Sequence, residues 1–172
     1  MANEILKLKR SAMERGVCAK YQRLWAGVTD GKGLFDMGMS IQGVEFFADS
    51  IAFGWGDVRA EYVADNFADL VNGKYISKQD GYTSEMYIGE QSRTITARTT
   101  LLVLVGVTKA VVNIPEYSAC MIYLCGSCDV EINNNGTLRL YDYGDNVSYV
   151  HNATDAKYEK KKIENTQWPK KI

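Results

Sequence analysis

The sequence predicts an α+β fold in which about three N-terminal helices cap a repetitive β part. Apolar residues recur at helical spacing up to residue 73, which predicts the helical cap, residues 1–73. From residue 74 the pattern changes to short β-prone runs separated by glycine, which predicts the repetitive β part, residues 74–151. Residues 152–172 form a basic segment that we expect to be a peripheral tail or a docking segment.

The first helix is expected within residues 1–26, where apolar positions lie on one side and Gly16 weakens the middle. Residues 29–33 predict a loop, because glycine and aspartate are typical turn residues. A short helical turn is expected to follow through residues 34–37. The start of the cap therefore combines one long helix with a loop and a turn.

Two more helices are expected in the cap. Residues 42–53 predict a helix that stops at Gly54, and residues 57–71 predict another with Asp57 as its N-cap. The pair has the proportions of a helix-turn-helix unit. The second helix offers only Arg59 against four acidic side chains, whereas a DNA-reading helix needs cations against phosphate. We therefore expect a packed helical hairpin and no specific DNA binding.

Three glycines organise the β part: Gly106, Gly126 and Gly144, which lie 20 and 18 residues apart. An apolar run precedes each glycine and a shorter one follows it, and a degenerate copy of this pattern surrounds Gly89. Such a short period is typical of stacked coils or of serial hairpins. A short β-solenoid and an antiparallel meander are both compatible with it. The in-phase recurrence of the strands favours the solenoid, whose open end the helices would cover.

Length and composition describe an ordinary globular chain. The 172 residues are enough to bury a core, and no apolar stretch is long enough to cross a bilayer. The first residues lack the apolar segment of a secretory signal, so we expect a cytoplasmic or virion-associated protein and no membrane partner. A net charge of −1 gives no general attraction to nucleic acid.

Three cysteines, Cys120, Cys125 and Cys128, have a spacing that matches part of an iron–sulfur pattern. The only other cysteine is Cys18, and the only imidazole is that of His151, so a complete ligand set is missing. The residues between the first two cysteines also predict a strand rather than a loop that wraps a metal. The three cysteines are weak metal candidates, and we expect buried reduced thiols and no cofactor.

An aromatic and acidic run, Tyr141, Asp142, Tyr143 and Asp145, follows the third apolar strand of the repeat. Such side chains could line a groove that contacts a sugar or a cation, and Trp168 in the tail could add a further aromatic contact. The alternative is a solvated strand end whose tyrosines support cross-strand packing. The sequence leaves both interpretations open.

The tail, residues 152–172, is locally basic because it contains six lysines. It could contact an acidic surface, or it could be solvated and disordered. Three large apolar side chains are unusual in a purely solubilising segment: Tyr158, Ile163 and Trp168. Both alternatives remain open at this point.

Five short segments of the chain carry a resemblance to known proteins. They are CAKYQRLW at 18–25, GVEF at 43–46, IAFGWG at 51–56, FADLVNGKY at 67–75 and RTITARTT at 93–100. These segments resemble small uncharacterised proteins of gut Bacteroidetes and their phages or mobile elements. The resemblance covers about two thirds of the chain and implies an origin, but it implies no activity and no functional residue.

The sequence thus favours a non-catalytic structural or interaction protein of a phage or mobile element. Its rigid β surface would serve assembly or partner binding, with a protein partner or a second copy of the chain. The alternative is a small-molecule or glycan-binding module that uses the groove near Tyr141 to Asp145. We do not expect an enzyme, because no nucleophile, base and acid come together in a recognisable motif.

Overall fold

The computed structural model describes residues 2–16, 23–24, 26–57, 63, 74–79, 81–89, 92–98, 100–106 and 109–166. Within these ranges the chain forms three α-helices, three short 3-10 segments and ten β-strands. The α-helices are α1 (Ala2–Glu14), α2 (Gly31–Gly38) and α3 (Val44–Phe53), and the 3-10 segments are Trp55–Asp57, Ala153–Asp155 and Ile163–Asn165.

The strands follow one another closely from residue 74 to residue 160. They are β1 (Lys74–Gln79), β2 (Tyr82–Ile88), β3 (Ser92–Thr96), β4 (Thr100–Val105), β5 (Lys109–Ile114), β6 (Ala119–Cys125), β7 (Val130–Asn134), β8 (Thr137–Asp142), β9 (Val147–His151) and β10 (Ala156–Lys160).

The strands form two sheets of one β-solenoid, and each full coil of the solenoid contributes one strand to each sheet. The larger sheet has the order β1-β2-β4-β6-β8-β10, and the smaller has the order β3-β5-β7-β9. Every neighbouring pair is parallel except the β1–β2 hairpin. From β2 onward the chain alternates between the two sheets, so that each pair of strands is one coil and the solenoid has about four turns. Parallel pairing confirms the solenoid over the meander.

The register of the larger sheet accounts for the glycine spacing. Thr83 pairs with Thr100, Thr100 with Cys120, Cys120 with Leu138, and Leu138 with Ala156. Successive coils therefore contain 17, 20, 18 and 18 residues. Because each coil lies in register on the one before it, the glycine period measures the length of a coil.

The corners between the sheets are not all built alike. Gly106 and Gly126 have φ values of 60° and 77°, in the left-handed region that glycine adopts without steric cost. Gly144 lies outside that region, and its N–H instead donates to the Asp142 carboxylate at 2.9 Å. The last described corner of the larger sheet is therefore formed by a side chain rather than by a left-handed glycine.

One apolar core fills the space between the two sheets. Alternate side chains of each strand point inward, as the period of two along a β-strand requires. These residues are almost inaccessible to solvent: Ile95, Leu102, Leu104, Ala110, Val112, Ile114, Ile122, Leu124, Val130, Ile132, Leu138 and Leu140. The coils are held together by this core and by the backbone hydrogen bonds between them.

A second core lies between the helices and the outer face of the larger sheet. Phe47 and Ile51 of α3 and Trp55 pack in the same cluster as Val103 and Tyr123 of the sheet. Strand β4 is buried at all six positions because it contacts both cores. The helices therefore cover a broad face of the solenoid, whereas the sequence suggested a cover over its end.

The boundaries of the first helices follow local backbone chemistry. In the described residues, α1 ends at Glu14, shortly before Gly16 with φ 72°, so it is shorter than the 1–26 stretch predicted to contain it. Helix α2 begins at Gly31, inside the predicted loop. The Asp30 carboxylate accepts a hydrogen bond from the Gly33 N–H at 2.7 Å, which is an N-cap interaction that the sequence analysis missed.

Of the other two helices predicted in the cap, one is confirmed and one lies almost entirely outside the described residues. Helix α3 confirms the helix predicted over residues 42–53. It ends at Phe53, and Gly54 follows as its C-cap with φ 69°. The helix predicted over residues 57–71 lies outside the described residues apart from Asp57 and Val63. No helix in the described part of the chain is both long and apolar enough to cross a membrane.

Replacing Gly106 tests the corner geometry. A Cβ at this position would meet no atom within 4 Å, so the cost of Gly106→Ala comes from the left-handed backbone alone. We expect Gly106→Ala to lower the free energy of unfolding by about 1–2 kcal/mol, measured by urea denaturation. Gly106→Asn should cost less, because asparagine tolerates this conformation. Equal losses for the two variants would contradict a purely conformational role.

Candidate functional site

The three consecutive residues of the predicted aromatic–acidic groove point to two different faces of the sheet. Asp142 is the last residue of β8. It lies on the same face of the strand as the inward residues Leu138 and Leu140, and its side chain is 1% exposed. Tyr141 and Tyr143 lie on the opposite face, where they pack against the helical layer. The structure therefore does not bring these three side chains together in one groove.

Asp142 is the centre of a polar cluster that we call the Asp142 clamp. One carboxylate oxygen accepts hydrogen bonds from the Gly144 N–H and the Asn146 side-chain amide, both at 2.9 Å. The other accepts from the Tyr158 hydroxyl at 2.7 Å and from Lys160 Nζ at 3.3 Å. The clamp thus ties the corner after β8 to the last strand of the larger sheet.

The clamp holds Asp142 in its ionised form. Burial alone would raise the pKa of this carboxyl, because it removes the charge from water. The hydrogen bonds from Tyr158, Gly144, Lys160 and Asn146 together outweigh burial, so the pKa lies below its ordinary value. The ionised carboxylate at this position stabilises the folded chain.

Tyr143 joins the sheet to helix α3. Its hydroxyl donates a hydrogen bond to Oδ1 of Asp49, a helix residue that is inaccessible to solvent. The Phe53 ring meets the Tyr143 ring edge-on, with 5.5 Å between centroids. Burial, together with the nearby Asp49 carboxylate, raises the pKa of Tyr143, so the hydroxyl stays protonated and remains a donor.

Tyr141 lies beside Lys161, which connects the tail to the helical layer. Its ring stacks on Tyr123 with 4.6 Å between centroids, and Lys161 Nζ lies 5.6 Å from its centre. Lys161 is buried and forms ion pairs with Glu45 of α3 at 3.0 Å and with Glu159 at 3.4 Å. Burial opposes the charge on Lys161, but the carboxylates of Glu45, Asp49 and Glu159 outweigh it and its pKa is raised.

The remaining predicted site residues do not complete a groove. Asp145 is fully exposed and pairs with Lys160 at 2.6 Å. Trp168 lies outside the described residues. Within the tail, residues 156–160 are strand β10, and Lys161 contacts α3, so this part of the segment is docked.

The three cysteine sulfurs do not converge. Cys120 lies in the core between the sheets, with its sulfur 3.3 Å from the Ala97 carbonyl oxygen. Cys125 points to the opposite face, 3.6 Å from the Ala48 carbonyl oxygen, and burial raises the pKa of its thiol. Cys128 lies at the corner. The described residues contain no group of three or more His, Cys, Asp or Glu side chains that could hold a metal ion.

Sequence analysis missed an ordered polar surface, which we call the outer polar face, on the smaller sheet. Asn133 donates to Asn113 on the neighbouring coil at 3.0 Å. His151 Nε2 lies 3.0 Å from Glu131 Oε1. The His151 ring is edge-on to the Tyr149 ring, with 4.1 Å between their centroids. These side chains meet because stacked coils place them in adjacent rows, a relation that the repeat spacing could have revealed.

Strands β9 and β10 are edge strands at the same end of the solenoid, and they differ in charge. Strand β10 carries charged side chains at three of its five positions, Lys157, Glu159 and Lys160. Strand β9, with the sequence VSYVH, carries no acidic residue, lysine or arginine. Among the described strands, β9 pairs only with β7, so its outer backbone edge has no strand partner within the part of the chain that the structure describes.

Asp142→Asn tests the clamp. The substitution keeps the shape but removes the charge, and it replaces one accepting oxygen with an amide N–H₂ group, which is a donor that faces two donors. We expect the free energy of unfolding to fall by about 2 kcal/mol near neutral pH. Because the folded pKa is depressed, this stabilisation is complete above the ordinary carboxyl pKa of about 3.9 and is lost as the pH falls below it. Denaturation of both proteins across this range measures the difference.

Asp145→Asn is the matched control for the clamp, because Asp145 also contacts Lys160 but is fully exposed. A surface pair of this kind contributes little, so we expect an unfolding curve close to that of the wild type. The clamp would be refuted by a wild-type-like Asp142→Asn protein, or by a difference that stays constant as the pH falls.

Comparisons with protein-family models, curated proteins and solved structures find no match to this chain. The function must therefore be argued from the geometry of the solenoid itself.

Proposed function

We propose that this chain is a non-catalytic structural or interaction protein that assembles through the open end of its solenoid. The observation that carries the proposal is the contrast between the two edge strands at that end. In the proposed assembly, β9 (Val147–His151) pairs with β9 of a second copy. The smaller sheet then continues from one protomer into its partner.

The exposed edge of a sheet is a template for pairing, and proteins that avoid such pairing place charges, particularly lysine, on the edge. Strand β10 has this protection, and β9 lacks it. Val147 and Val150 are only half-buried against the core between the sheets, and Tyr149 is 58% exposed. Pairing would bury these apolar surfaces and satisfy the open backbone edge at the same time.

A second copy is the partner that fits this edge most simply. Two identical strands can pair antiparallel about a two-fold axis, which gives a closed and self-complementary interface. With the axis at Tyr149, each Val147 lies opposite His151 of the second strand, and each Ser148 lies opposite Val150. The two Tyr149 side chains meet at the centre, where aromatic contact stabilises cross-strand pairs.

The architecture supports a rigid role. The coils stack in register, and neighbouring side chains on the outer polar face already contact one another, so pairing requires little ordering. The origin in a phage or mobile element stays a prediction that rests on the resemblance.

Sedimentation velocity over a concentration series tests the assembly. We expect the wild type to form a dimer whose population rises with concentration. Tyr149→Lys should weaken the dimer at least about tenfold, because it places two like charges opposite each other at the centre of the interface. Thr94→Lys is the matched control, since Thr94 is exposed and lies in the same side-chain row on β3, the opposite edge of the sheet.

Thr94→Lys should dimerise like the wild type. The proposal fails if the wild type is monomeric over the whole concentration range. It also fails if the Thr94 and Tyr149 variants dissociate equally. Circular dichroism melts of both variants confirm that the solenoid is folded in each sample.

A further inference from the structure

A groove of about 390 Å³ lies on the outer face of the larger sheet, away from the β9 edge. Its volume falls within the range of small-molecule sites, about 300–1,000 Å³. The side chains that decide its chemistry are Ile41, Tyr82, Leu101, Met121, Thr137 and Arg139.

The register of the solenoid builds the floor of this groove. Leu101, Met121 and Arg139 occupy the same side-chain row on β4, β6 and β8. Leu101 is buried and Met121 is half-buried, so the first part of the row is apolar. Arg139 is exposed, and it makes the far side of the groove cationic.

The apolar wall is held in place by a hydrogen bond between distant parts of the chain. The Ile41 N–H donates to the Tyr82 hydroxyl at 2.9 Å, which fixes the loop after α2 against the start of β2. The Ile41 side chain remains 45% exposed at the rim. A formed wall lowers the ordering cost of binding an apolar ligand.

Arg139 supplies a charged group at the edge of this apolar surface. It forms no hydrogen bond or ion pair with any other residue that the structure describes. A guanidinium binds a carboxylate through two parallel N–H···O bonds, which makes it the preferred partner for that group. The Thr137 hydroxyl lies on the same rim and is a hydrogen-bond donor.

We propose that the groove binds a small amphipathic carboxylate, of the medium-chain fatty acid class. Its hydrocarbon chain lies over Leu101, Met121 and Ile41, and its carboxylate pairs with Arg139. This site is independent of the proposed assembly, because the groove is on the larger sheet and the assembling edge is on the smaller one.

Isothermal titration calorimetry with octanoate, below the concentration at which it forms micelles, tests the site. The neutral analogue 1-octanol measures the apolar contribution alone. We expect octanoate to bind about tenfold more tightly than octanol, as a charge-assisted hydrogen bond requires. Affinity should rise about two- to fourfold per added methylene from hexanoate to decanoate, because each methylene buries apolar surface.

Three variants locate the ligand. Arg139→Gln should lose the preference for octanoate over octanol while still binding both weakly. Ile41→Glu should weaken the binding of both ligands, because it adds a carboxylate to the apolar wall. Lys109→Gln is the matched control, since Lys109 is an exposed cation on β5 in the other sheet. It should bind both ligands like the wild type.

The proposal is overturned if octanoate shows no binding at millimolar concentration, or if octanoate and octanol bind equally to the wild type. It is also overturned if Lys109→Gln loses as much affinity as Arg139→Gln, which would indicate general charge attraction. Arg139 and Ile41 are both exposed, so their variants should fold, and thermal melts verify this.

Discussion

The rest of the structure depends on the in-register stacking of parallel coils. Each coil hydrogen-bonds to the next, and each inward side chain packs on its counterpart one coil away. Repeats of this kind cannot bury their apolar face alone, so stability comes from the contacts between neighbours. The same register also arranges the surfaces, because it places Leu101, Met121 and Arg139 in one row and Asn113 beside Asn133. Packing and surface chemistry therefore have a common origin in the coil length.

Such stacking leaves exposed edge strands at each end of the solenoid. At the C-terminal end the two edge strands, β9 and β10, differ in charge and in their contacts. The β10 side is anchored by charge: Asp142 accepts hydrogen bonds from Tyr158 and Lys160, and Lys161 reaches Glu45 on the helical layer. These contacts connect the last coil to the previous one and to α3. The β9 side is held to β7 by the Ser148 hydroxyl, which donates to the Val130 carbonyl oxygen at 2.9 Å, and by the contact of His151 with Glu131. The half-buried valines of β9 continue the core to the surface. This difference in charge between β9 and β10 is the physical basis of the proposed assembly.

The periodic part of the fold could be predicted from the sequence, because glycine corners and alternating apolar residues are local signals. Parallel and antiparallel pairing share these signals, so only the register distinguishes them. Asp142 could not be assigned from local pattern, because its partners Tyr158 and Lys160 belong to the next coil. Tyr143 was expected at a solvated strand end or in a groove, and its contact with Asp49 depends on a helix 94 residues away. Leu101–Val105 did carry a usable signal, since an uninterrupted apolar run indicates a strand buried on both faces.

Hydrogen–deuterium exchange at low and high protein concentration tests the central claim most directly, because it observes the backbone of each edge strand. The account predicts that amides within residues 147–151 exchange more slowly at high concentration, since pairing protects the outer edge of β9. Amides of β3, residues 92–96, at the opposite edge should exchange equally fast at both concentrations. Unchanged exchange in β9, or protection that appears in β3 instead, would contradict assembly through this end of the solenoid.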